Sequence, residues 1–274
     1  MLKDMTIGQF IPGDSFVHNL DSRTKFLNSI IFIALLFFCR NFYALGLCFV
    51  ALLIYILFSE ISLKFIFKGL RPVIMIVVIT AILNLFFTKS GKAVFSLGFI
   101  SITDHGLITA LFYSFRIILI VLASVMLTYT TTPTMITYAI ERLFSTKWTY
   151  RAVHTFAMMM TISLRFIPIL TDEFIKITDA QKSRGASFDT GGIISRIKSL
   201  IPVLIPLFFT SFKKATDLAF AMECRCYNGA DGRTRYKVTN FKKNDLIVFI
   251  LLLILTVLVF VLSYFLPRIP IWET

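Results

Sequence analysis

Acidic residues are scarce in this chain, with 15 Asp and Glu against 28 Lys and Arg among 274 residues, and only 16% of residues carry charge. Long polar surfaces are therefore missing, and with 57% hydrophobic residues and 30 Phe the composition excludes an ordinary soluble domain. Mean hydropathy of +0.82 puts it in the polytopic membrane class. Cysteine is also sparse: Cys39 and Cys48 lie in apolar segments and Cys224 and Cys226 in a basic one, which excludes a disulfide framework and predicts four reduced thiols. The first twenty residues lack an apolar run, so no cleaved secretory signal is expected. There is no GxxxxGK[ST] loop, because Gly91-Lys92 continues into Ala93 without the upstream glycine, and the chain is not expected to bind or hydrolyse ATP. HExxH, GxSxG and paired acidic motifs are missing too, leaving His18, His105 and His154 as isolated candidates for a membrane enzyme.

What is present is a series of apolar runs long enough for a hydrocarbon core of roughly 30 Å. They cover residues 24–40, 42–59, 72–88, 107–130 and 245–266, with Arg40 and Asn41 forming a tight turn between the first two. The expected fold is all-α, with about five transmembrane helices plus long amphipathic cytoplasmic helices. Residues 1–23 form a cytoplasmic N-terminal segment, 24–130 the first four spans, 131–244 a cytoplasmic helical segment, 245–266 the last span and 267–274 an external tail. The cations set this orientation. Lys3, Arg23, Lys25, Lys64, Lys68 and Arg71 and the seventeen Lys and Arg of 131–244 fall on one side, against Arg40, Lys89, Lys92 and Arg268 on the other. The expected topology is N-terminus inside, C-terminus outside, in the cell membrane. Arg116 falls within the fourth span, where snorkelling or pairing with a polar group competes with a role in a solute pathway.

The segment 131–244 carries two long amphipathic patterns. In the first, about 151–184, Ile167, Leu170, Phe174 and Ile177 recur at helical spacing, and Gly185 stops the helix. In the second, about 193–226, Phe208, Phe212, Ala215, Ala219 and Met222 share a stripe. Pro168, Pro202 and Pro206 each remove a backbone hydrogen bond and bend their helices. Both patterns finish on arginine, in Ser183-Arg184-Gly185 and Cys224-Arg225-Cys226, each four residues after an alanine. An arginine there complements the helix dipole for roughly 0.3 to 1 kcal/mol; two matched arginines flanked by small residues also suit close docking of another protein. Cys224-x-Cys226 does not suggest a metal site, since helical residues two apart diverge by roughly 200° and no histidine is near. Basic residues such as Arg196, Lys198, Lys213, Lys214, Lys242 and Lys243 suit an anionic lipid surface, and no nucleic-acid partner is expected.

The block GQFIPGDSFVHNLDSRTKF at 8–26, the helix layout and the two X-Arg-X motifs together resemble the transmembrane scaffold, or T component, of energy-coupling factor transporters, importers of the ATP-binding-cassette class. The resemblance implies a non-catalytic subunit that couples two partner ATPases to a small membrane-embedded substrate-binding subunit importing a vitamin or other micronutrient. It implies that the chain binds no cofactor of its own, with ATP and magnesium held by the partners. By position, Arg184 and Arg225 would enter grooves on the two ATPases, with Phe188, Tyr227, Asn228 and Gly229 as neighbouring contacts. Where the family has Ala-Arg-Gly, this chain has Ser183, Cys224 and Cys226, which puts the fit of the second site in question; Gly13, Asp14 and Asp21 look closer to members serving several vitamin-binding subunits. Two alternatives stay open. DAQKSRGAS at 179–187 also resembles the ATPase-contacting loop of ordinary importer permeases, and a secondary transporter would bind its solute itself.

Overall fold

The computed structural model describes residues 10–87, 93–97, 100–145, 149–186, 192–229 and 241–266. Eight helices lie among them: α1 (Ser22–Phe38), α2 (Phe42–Ser59), α3 (Leu63–Phe87), α4 (Asp104–Thr130), α5 (Pro133–Phe144), α6 (Tyr150–Ser183), α7 (Ile193–Cys224) and α8 (Lys243–Phe265). The all-α expectation holds, with one addition. Between α3 and α4, β1 (Ala93–Leu97) and β2 (Ile100–Thr103) form a short antiparallel hairpin, with Leu97 opposite Ile100. Five helices combine the length and apolar composition needed to cross a bilayer: α2, α3, α4, α6 and α8. At 17 residues α1 sits at the short end of that range. The chain is a multi-pass membrane protein.

The described residues fall into two compact units, 10–139 with 241–266, and 140–229. In the first, α4 packs against α1, α2 and α3, while α8 packs against α1 and α2. Leu36, Leu45, Leu119, Met126 and Val259 are fully buried at its centre. Outside this core, α3 and α8 keep apolar side chains exposed around most of their circumference, Phe67, Ile76 and Phe87 among them, as lipid-facing helices do. The turn between the first two spans is as expected: Cys39 caps α1, and Asn41 starts α2 while its amide donates to the Leu262 and Leu266 carbonyls at 3.1 and 2.9 Å. The third span begins earlier than expected. Lys64, Lys68 and Arg71 lie within α3, because nothing breaks the helix until well past Pro72.

Lys25 and Asp245 tie the ends of this unit together. The buried Asp245 carboxylate accepts from the Asp21 and Lys242 amides, both at 2.8 Å, and the Lys25 ammonium donates to the carbonyls of His18 (2.9 Å) and Thr130 (3.1 Å). Asp21 caps α1 through the Arg23 amide, and the Arg23 guanidinium reaches the Tyr138 hydroxyl at 3.1 Å. The described part of the block, 10–26, is thus partly a structural knot, joining the starts of α1 and α8 to the end of α4. His18 completes it. Its Nε2 lies 3.0 Å from the Ile11 carbonyl and must carry the proton, leaving Nδ1 to accept from the Ser15 hydroxyl at 2.7 Å. Burial, aided by the Lys25 charge, outweighs the Ile11 carbonyl, Asp14 and Glu60 and pushes the imidazole below its ordinary pKa.

Candidate functional site

The two X-Arg-X motifs adopt one geometry. At the end of α6 the Ala186 amide donates to the Gln181 carbonyl (3.0 Å) and the Gly185 amide to the Lys182 carbonyl (2.9 Å). At the end of α7 the Tyr227 amide donates to the Met222 carbonyl (3.0 Å) and the Cys226 amide to the Glu223 carbonyl (2.8 Å). Each is a Schellman cap, with the middle arginine as the C-cap and the third residue left-handed: Gly185 at φ +88° and Cys226 at φ +56°. Only Gly adopts that conformation without steric cost, so the cap explains the third position of the motif. It also corrects the sequence expectation at Cys226, which lies beyond α7, so the 200° argument against a shared metal does not apply to it. Both Cys224 and Cys226 are exposed free thiols, and no metal-ligating cluster occurs among the described residues.

The cap ends each helix at its arginine. Arg184 and Arg225 are exposed, and neither has an ion-pair partner among the described residues. Ser183 is exposed as well, with its hydroxyl turned back onto the Asp179 carbonyl at 3.1 Å. Around the second motif Asn228 and Gly229 are exposed and Tyr227 is half-buried, its amide closing the cap. Phe188 lies outside the described residues.

Helices α6 and α7 hold the two arginines apart. Lys214 pairs with Glu173 at 3.3 Å, and the Gln181 amide makes a long 3.5 Å contact with the Pro202 carbonyl. The pairings 173 with 214 and 181 with 202 mean that the helices run in opposite senses, so their C-terminal arginines lie at opposite ends. From the helical rise the separation is on the order of 30 Å. Pro206 has no N–H to give the Pro202 carbonyl, which frees that oxygen for Gln181. The stripe turned away from solvent on α7 is Val203, Leu207, Thr210, Ser211, Lys214 and Leu218. The stripe read from the sequence stays largely outside, with Phe208 61% and Phe212 59% exposed. Apolarity alone did not reveal the inward side, because three of its residues are polar.

Arg116 pairs with a polar group. Its guanidinium donates to the Cys39 carbonyl at the end of α1 and lies over the Phe112 and Tyr113 rings, 4.6 and 5.3 Å from their centroids. Among the other candidate groups, His154 pairs with Glu141 at 2.9 Å in the buried connection between α5 and α6. Cys39 and Cys48 stay reduced and buried with sulfurs 3.7 Å apart.

A family model described as CbiQ, cobalt transport protein, matches residues 13–236. Energy-coupling factor transporter transmembrane proteins EcfT are similar over nearly their whole length. That of Ruminiclostridium cellulolyticum is 46% identical over 249 residues, covering 90% of this chain and 93% of the relative. Those of Clostridium kluyveri and Bacillus subtilis are 44% and 38% identical, covering 93% and 96% of this chain and 95% and 99% of theirs. The chain belongs to the energy-coupling factor transporter transmembrane protein family. As an EcfT-type protein it is the transmembrane component of a transport complex, and membership in a family of transporter subunits accords with a non-catalytic role. Sequence reasoning reached this family through the arginine motifs and the N-terminal block. It missed the part played by Asp245, whose only signal was a lone carboxylate at the start of the last apolar run.

Proposed function

We propose that this chain is the scaffold through which two partner ATPases drive a separate small membrane subunit that captures a vitamin or other micronutrient. Arg184 and Arg225 are its ATPase-docking residues, flanked by Ser183, Gly185, Cys224 and Cys226 and, around them, Phe188, Tyr227, Asn228 and Gly229. The observation that carries this reading is the pair of matching caps, each presenting an exposed arginine with no ion-pair partner among the described residues, at opposite ends of two antiparallel helices. An unpaired guanidinium is suited to bidentate pairing with an acidic groove, for roughly 1.5 to 3 kcal/mol per contact. Two contacts through one rigid helix pair reinforce each other. ATP and magnesium belong to the partners, since this chain has no phosphate loop. The cation distribution supports residues 1–23 and 131–244 inside, spans at 24–130 and 245–266, and a C-terminal tail outside, with α6 read as an amphipathic helix on the inner side although its length and composition would let it cross.

Co-purification tests the reading. From mildly solubilised membranes the tagged wild type retains two ATPases, and the Arg184→Glu, Arg225→Glu double variant loses them. Retention of both ATPases by the double variant would sink the docking assignment. Lysine separates charge from geometry, because it keeps the charge and loses the planar fork. Arg184→Lys with Arg225→Lys is expected to reduce coupled transport at least tenfold; unchanged transport would mean that charge alone suffices.

A further inference from the structure

Two nucleophilic side chains take no part in the docking proposed above. Cys39 caps α1 and Cys48 lies in α2, nine positions on, and both are fully buried in the core of the first unit. The sequence gives no reason to pair them, since each lies in its own apolar run. The fold brings their sulfurs to 3.7 Å. The Cys39 thiol donates to the Leu35 carbonyl at 3.5 Å, which leaves its sulfur to accept from the Cys48 thiol.

This contact is held from both sides of the turn. The Arg116 guanidinium donates to the Cys39 carbonyl, and the Asn41 side-chain amide donates to the Leu262 and Leu266 carbonyls, so the chain on either side of Arg40 is tied to α4 and to the end of α8. A disulfide needs its sulfurs at about 2.05 Å, so each one has to travel only about 0.8 Å, a small rotation about χ1. Access is selective as well. Phe38, Arg40 and Tyr43 are exposed while the two sulfurs are not. Because a charge is costly in lipid, the exposed Arg40 places the turn at the water boundary. A bulky or charged thiol reagent is kept out, and a small neutral one has only the turn to pass.

We propose that Cys39 and Cys48 form an oxidation site for a small neutral two-electron oxidant such as hydrogen peroxide, closing to a disulfide that locks the turn between α1 and α2. In the first step one sulfur, as its thiolate, attacks a peroxide oxygen. The O–O bond breaks, and the departing hydroxide takes up the proton that the thiol released, giving water and a sulfenic acid. The second sulfur then attacks the sulfenic sulfur, the S–O bond breaks, and a second water leaves with the remaining thiol proton. Two thiols and one peroxide give one disulfide and two waters, each sulfur losing one electron and each peroxide oxygen gaining one. A partner thiol already in contact intercepts the sulfenic acid before more peroxide carries it to sulfinic acid.

The test treats the full chain, with its co-purifying subunits in mild detergent, with hydrogen peroxide, then alkylates the remaining thiols under denaturing conditions and maps the peptides by mass spectrometry. Wild type should carry a Cys39–Cys48 disulfide, marked by the loss of two hydrogens and opened by dithiothreitol. In Cys39→Ser, Cys48 has no partner and should accumulate sulfinic acid under the same treatment. Oxidised wild type should melt above the untreated chain, and an unchanged midpoint would remove the lock. Glutathione disulfide, bulky and charged, should leave both residues as thiols; a glutathione adduct on either one overturns the oxidant class. Recovery of both as alkylated thiols, at peroxide concentrations that convert the exposed Met75 to its sulfoxide, overturns the proposal. So does sulfinic acid at either position in wild type, or a bond from either to Cys224 or Cys226.

Discussion

The two X-Arg-X caps ask the same left-handed backbone of different residues. Gly185 meets the left-handed backbone requirement freely, and a Cβ there would touch nothing within 4 Å, so any cost of substitution comes from the backbone alone. Cys226 already bears that cost at φ +56°. Cys226→Gly is therefore expected to stabilise the end of α7 by about 1 kcal/mol and raise the thermal midpoint in detergent, and Gly185→Ala to lower it by a similar amount. A lower midpoint for Cys226→Gly would show that the thiol makes a compensating contact. His18 is a second residue-scale case. Its pKa is depressed in the folded chain, so the unfolded chain binds more protons below the ordinary histidine value of about 6.5. The stability it contributes is present above that pH and is lost as pH falls through the folded pKa. Melting midpoints at about pH 5.5 and about pH 7.5 should differ less in His18→Gln than in wild type, and an unchanged difference would remove His18 from the account.

At the scale of elements, close approach decides more than apolarity. A Cβ on Gly69 would lie 2.9 Å from Val125 Cγ1 and 3.1 Å from the Tyr129 hydroxyl, which itself donates to the Phe65 carbonyl. Helices in lipid associate through such small residues, since lipid offers little apolar driving force between them. Gly69→Val should push α3 off α4 and cost about 1 to 3 kcal/mol by overpacking. A wild-type midpoint for that variant would show that the helices part freely. The pair α6 and α7 follows another rule. Their registration rests on a half-exposed ion pair worth only about 0.2 to 1 kcal/mol and on a carbonyl freed by proline. Such a loosely fastened pair is compatible with the coupling role proposed for it, whereas α4 is locked into its core.

Across the whole molecule, Asp245 connects residues more than two hundred positions apart, holding the start of α1 to the start of α8. Asp245→Ala leaves the buried Asp21 amide without its acceptor and uncaps α8, and should cost about 1 to 3 kcal/mol for each group left unpaired. Asp245→Asn keeps one acceptor oxygen and should be milder. If the two variants melt alike, the carboxylate does not hold the ends together. The docking proposed for the arginine motifs also belongs to this scale, because it requires both caps at once.

The sequence by itself determined the membrane class, the apolar runs, the helix-ending role of Gly185 and the family, through features that local chemistry and spacing already express. A turn at Arg40 and Asn41 and a polar partner for Arg116 could be anticipated because charge is costly in lipid wherever the helix lies. Tertiary structure alone decided that the Cys224 motif adopts the same cap as its glycine-bearing counterpart, that α7 turns a partly polar stripe away from solvent, and that Lys25 faces carbonyls. Those outcomes depend on which distant groups arrive opposite one another. Asp21 with Asp245 or Gln181 with Pro202 leaves no periodic signature in the chain, since hydrogen bonding between remote segments imposes no repeat on either one.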